Sequence, residues 1–147
     1  MPGYSVDGNQ NAAAAITIIG VTRGAAKRIF ADYLAIGSAA TPADQANNLQ
    51  INRTTAAGTS TAVTPRPFDP SDGASVATAG ENHSSEPTKT SGLVLLSISP
   101  NSRSLAQFYA KAGRPLIVPD TAANGLALVF IVATGTQLFE ATLHFDE

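Results

Sequence analysis

The chain has 147 residues, a mass of 15.0 kDa, 14% charged side chains, a formal net charge of −2 and a pI near 5.6. That length fits one domain able to bury its own core, and the acid-leaning balance excludes the basic footprint by which proteins grip nucleic acid. With no cysteine and only two histidines, disulfides, thiolate nucleophiles and the familiar Cys/His zinc sites are excluded as well.

The first residues, MPGYSVDGNQN, are polar and lack both the basic n-region and the apolar h-region of a signal peptide. The longest apolar runs, residues 93–96 and 126–133, fall far short of the about 20 residues that span a bilayer. The sequence therefore predicts a protein made in the cytoplasm with no membrane partner. Residues 1–13 stand apart as an N-terminal segment whose contacts are open.

Residues 14–22 carry the β-branched run Ile16, Thr17, Ile18, Ile19, Val21 and Thr22 and predict a strand. In residues 28–36, Ile29, Tyr33 and Ile36 fit a helical stripe while Phe30 and Leu34 do not, and the short length before Gly37-Ser38 favours a strand with apolar contacts on both faces. Thr41-Pro42-Ala43-Asp44-Gln45 has the pattern of a single helical turn. Leu49-Gln50-Ile51-Asn52 alternates apolar with polar, as a half-buried strand does.

Residues 51–90 then run through Thr, Ala, Ser, Gly and Pro with almost no large apolar side chain. So long a polar connection is unusual in a small domain, and it predicts an extended surface arm over about residues 55–90, with Phe68 as its most buried side chain. Beyond it come a strand at 93–99, a strand or short helix at 102–110, a brief strand at 116–118 and a turn at Asn124-Gly125. Two last strands, 126–133 and 138–145, flank Thr134-Gly135-Thr136. Seven or eight short strands without recurrent amphipathic helices predict an all-β fold, a jelly-roll-like sandwich or barrel in one domain spanning 1–147.

No motif for reaction chemistry survives inspection. Asp69-Pro70-Ser71-Asp72-Gly73 lacks the full spacing of a calcium loop and reads as a turn held by aspartate side chains on nearby backbone N–H groups. Glu81-Asn82-His83-Ser84-Ser85-Glu86 supplies Ser, His and Glu together, but a triad needs rigid geometry that a polar loop does not give. His144 alternates with Leu143 and Phe145 and is expected to face solvent or a partner. Gly58-Thr59 and the pair Gly20 and Gly24 lack the lysine and the spacing of a phosphate cradle. No catalytic, cofactor or metal residues are predicted, and the protein is not expected to be an enzyme.

Five residues are candidates for an interface. Arg53 ends an alternating strand, where its guanidinium could make a bidentate link to a carboxylate of its own fold or of a neighbour. Phe68, set between prolines, either anchors in a partner's pocket or pins the arm to its own domain. Phe139, Leu143 and Phe145 alternate along the last strand, which is either internal to a sheet or an edge that extends another subunit's sheet.

The succession Arg53-Thr54-Thr55, Gly58-Thr59, Val63-Thr64-Pro65, Asp69-Pro70, Ala77-Thr78-Ala79-Gly80, Glu86-Pro87-Thr88 and Ala123-Asn124-Gly125-Leu126-Ala127-Leu128 resembles small structural head proteins of tailed bacteriophages, of the cement or decoration (minor capsid) type. The resemblance spans about residues 36–147. It implies a jelly-roll or related β-domain on the outside of a shell built by a separate major capsid protein, with oligomers straddling the joints between capsomers. The expected partners are thus the major capsid protein and further copies of the chain in a dimer or trimer, in the virion. The alternative is a receptor- or carbohydrate-binding β-module of a head fibre or tail component. Against it stand the lack of tryptophan and the scatter of Tyr4, Tyr33 and Tyr109 along the chain.

Overall fold

A computed structural model describes residues 1–133 and 137–147, so the expected connection at Thr134-Gly135-Thr136 lies outside the described residues. The strands are β1 (Gly3–Asn11), β2 (Thr17–Thr22), β3 (Ile29–Ser38), β4 (Asn48–Ala56), β5 (Thr59–Val63), β6 (Arg66–Pro67), β7 (Thr78–Ser85), β8 (Thr88–Ile98), β9 (Ala106–Tyr109), β10 (Leu116–Val118), β11 (Gly125–Val132) and β12 (Leu138–Asp146). They form two antiparallel six-stranded sheets packed as a jelly-roll-like sandwich. The first sheet runs β10-β3-β12-β1-β6, with β9 sharing the β3 edge with β10, and the second runs β5-β7-β2-β11-β4-β8.

Strand alternation builds the core. Tyr4 and Val6 on β1, Leu34 and Ile36 on β3, and Phe139, Leu143 and Phe145 on β12 meet Ile19 and Val21 on β2, Leu49 and Ile51 on β4, and Leu126, Leu128 and Phe130 on β11. Phe130 and Phe139 join the two sheets edge to face, with centroids 5.0 Å apart. As expected, β3 also carries apolar rings, Phe30 and Tyr33, on its other side.

Several expectations need correction. Residues 3–11 of the N-terminal segment are a nine-residue strand, hydrogen-bonded along its whole length to β12. No helical turn forms at 41–45, because the polar groups of this stretch are bound to residues 100–103 instead: Ser102 N–H donates to Gln45 O (2.8 Å), Asn101 Nδ2 to Asp44 Oδ1 (2.6 Å) and Arg103 Nε to Pro42 O (3.2 Å). The arm is a surface feature, but it is built into the sheets. β5 and β7 complete the second sheet, and the tight connections at 57–58 and 86–87 pack on each other. The accessible surface of 7083 Å² matches the about 7,000 Å² of a compact monomer of this mass, leaving no room for a projecting arm.

Candidate docking surfaces

The candidate interface residues separate into two groups. Phe139, Leu143 and Phe145 are 2%, 6% and 1% exposed and point into the core. β12 is an internal strand between β3 and β1, so these side chains offer nothing to a partner and are corrected to core residues. Arg53 pairs with Leu126 across β4 and β11; its Nε is buried and, among the described residues, has no hydrogen-bond partner. Among the described residues no ion pair joins Arg53 to a carboxylate of its own fold. Phe68 is 57% exposed, so it is not the most buried side chain of its segment. It pins residues 66–68 to their own domain, with Phe68 N–H donating to Gly3 O (2.9 Å) and its ring lying over Gly3, where a Cβ would come within 2.9 Å.

Two other side chains hold the former arm in place. The Glu147 carboxylate, its side chain 1% exposed, accepts hydrogen bonds from Val76 N–H (2.9 Å), Ala77 N–H (3.2 Å) and Ser75 Oγ (3.1 Å). Glu86 accepts from Thr17 N–H (3.1 Å) and from the Thr17 hydroxyl. That engagement takes Glu86 out of any Ser-His-Glu constellation. His83 is not in a loose loop but on β7, buried over Gly20 in a cavity of about 160 Å³. Burial pushes its pKa below the ordinary 6.5, against the pull of Glu86 and the Thr17 backbone. As expected, Asp69 holds a turn: Ser71 N–H (2.9 Å) and Ser71 Oγ (2.7 Å) both donate to its Oδ1.

Two surfaces stand out. The first is the flank where β8, the edge of the second sheet, lies on the same side as β9 and β10, the edge of the first; the opposite edges meet where β5 and β7 approach β1. Here the core is not sealed. Leu95, Leu96, Ile98, Phe108 and Leu116 pack on it yet remain partly open, and Leu93 and Val94 are exposed. Arg103 is the one charged residue between 90 and 110. β8 is an eleven-residue edge strand whose outer backbone groups have no sheet partner among the described residues.

The second surface is the outward face of the first sheet, crossed by a ladder of rings. Tyr109 on β9 meets Tyr33 on β3 (centroids 4.8 Å), Tyr33 meets His144 on β12 (4.6 Å), and His144 meets Phe68 (4.8 Å). The spacing is that of neighbouring strands. Gly3 and Ser5 on β1 are small enough to let Phe68 reach across to β12. Gln107 Nε2 donates to the Tyr33 hydroxyl (3.1 Å). Two tyrosines that are 76 positions apart in sequence thus share one face, which their spacing could not reveal.

No protein-family model matches the chain, and no curated protein does. Among solved structures it has a weak likeness to a chain of infectious bursal disease virus, Gt strain, with 14% identity and a TM-score of 0.20 over 97% of this chain and 39% of that one. The chain therefore spans about two-fifths of the length of that viral chain, and a score so low carries no argument about function.

Among the described residues no cluster of three His, Asp or Glu side chains is placed to hold a metal ion, and no helix is long and apolar enough to cross a membrane.

Proposed function

We propose that the protein is a non-enzymatic virion component that associates with itself along the β8–β10 flank and sits on the outside of a capsid, cementing neighbouring capsomers of the major capsid protein. One observation carries the reading: along β8, β9 and β10 a row of core-packing apolar side chains stays partly open, and β8 carries no charge from Thr90 to Ile98. Charge is what normally protects an edge strand from pairing with another chain, and β8 has none from Thr90 to Ile98. A second copy presents the same neutral, aliphatic edge, so two β8 strands can pair without placing like charges opposite each other. A standard interface takes about 800 Å² from each partner, roughly a ninth of the 7083 Å² available.

The virion setting is supported by the resemblance of the turn and linker motifs to tailed-phage head proteins, and by a jelly-roll-like sandwich compact enough to ride on a shell. The test is saturable binding of the purified chain to capsids of the encoding phage that have been stripped of it. Stoichiometric decoration is expected; no binding at micromolar concentration contradicts the reading.

A further inference from the structure

The ring ladder differs in chemistry from the flank. The flank is mainly aliphatic at its core-packing positions, Leu95, Leu96, Ile98 and Leu116. The ladder is aromatic, with Tyr109 66% and Phe68 57% exposed, and several of its neighbours on β1 and β12 are polar. Two residues along each strand from the ladder lie Asp7 on β1, Thr142 on β12 and Ala35 on β3, aligned by register, with Glu140 one step further. Thr142 Oγ1 donates to Asp7 Oδ1 (2.7 Å). Asp7, Glu140 and Thr142 line a groove of about 430 Å³, and Thr142 and Glu140 also border a second of about 240 Å³ over Ala35 and Gly37, closed at its far end by Leu105.

We propose that the ladder and the adjoining grooves bind a neutral saccharide chain. A pyranose has apolar C–H faces that stack on exposed rings and an equatorial rim of hydroxyls that seeks carboxylate, amide and hydroxyl groups. The ladder offers the first in a line across four elements, and Asp7, Glu140, Thr142 and Gln107 offer the second. The carboxylates disfavour an anionic polymer by like-charge repulsion. Beside the ladder the outward side chains of β1 and β12 are Ser5, Asp7, Glu140 and Thr142, while the larger apolar side chains of this face, Phe30, Leu105 and Leu138, lie towards its margins. The inference does not depend on docking along the flank.

Affinity electrophoresis of the full chain through gels containing dextran, galactomannan, xylan or a soluble β-glucan tests it. Retardation by at least one is expected. Tyr109→Ala and Phe68→Ala should each weaken it about tenfold, as loss of one ring contact does, with the melting temperature of Tyr109→Ala unchanged. Passage through all four gels without retardation overturns the proposal, as does retardation that neither substitution alters. If no polysaccharide retards the chain and both substitutions abolish capsid binding, the ladder is a protein contact and the proposal is wrong while the docking reading stands.

Discussion

Replacing Phe145 by alanine distinguishes a core residue from an interface residue. Its ring is 1% exposed on an internal strand and stacks on Tyr4 with centroids 5.7 Å apart and planes 26° from parallel. Both neighbours of β12 are fixed by sheet hydrogen bonds, so the walls cannot collapse into the space left behind. Deleting a buried phenylalanine under such conditions costs about 3–5 kcal/mol, of which the ring pair accounts for about 0.5–1.5 kcal/mol. In a domain of this size each kcal/mol lowers the melting temperature by about 2–4 °C, so a loss of about 4 kcal/mol shifts it by roughly 8–16 °C. Urea denaturation followed by circular dichroism reads the loss directly, with the slope unchanged. A variant within about 0.5 kcal/mol of the parent that binds capsids less well would refute the placement of Phe145 in the core.

Gly58→Ala should cost more than about 2 kcal/mol in the same assay, because Gly58 has φ +73° and an added Cβ would lie 2.2 Å from Ser85 O; a neutral effect would show that the two connections do not pack together. Glu147→Gln keeps one acceptor oxygen where the carboxylate has two, so the amides of Val76 and Ala77 should exchange hydrogen faster and stability should fall by about 1–3 kcal/mol; unchanged exchange would contradict the clasp. His83 has a folded-state pKa below 6.5, chiefly through burial, so it stays neutral in the fold while the unfolded chain takes up a proton. Its contribution is present above pH 6.5 and lost as pH falls through the folded value, and that part of the pH dependence should vanish in His83→Gln. An identical pH profile in both proteins would refute it.

The sequence announces its strands where the inward positions are apolar. Residues 126–133 and 138–145 are legible because β11 and β12 bring apolar side chains to the core at every second position, most of them large. β1 is not, because Gly8 and Gln10 occupy two of its four inward positions and break the alternation that Tyr4 and Val6 begin. β5 and β7 escape notice for a related reason. β5 is largely exposed, and the buried positions of β7 are Ala79, Gly80 and His83. The Thr41-Pro42 turn misleads because its local capping pattern yields to hydrogen bonds with residues 100–103, and tertiary partners override local preference. Alternation also showed that Phe139, Leu143 and Phe145 share a face, but not which way it points. That direction is set by the second sheet, against which the face packs, while β1, pairing with the other side of β12, makes the strand internal. The ring ladder draws on positions 33, 68, 109 and 144, and only the sheet order brings them together.

The role of the flank is tested most directly by sedimentation velocity and capsid binding of the parent chain beside Leu93→Asp/Val94→Asp. Both side chains are exposed, so the double substitution should leave the melting temperature close to that of the parent. The parent is expected to sediment as a dimer at micromolar concentration and to decorate stripped capsids to saturation, and the variant to sediment as a monomer with decoration lost or strongly weakened. A parent that is strictly monomeric, or a variant that still associates and decorates like the parent, would contradict the assignment of the β8–β10 flank.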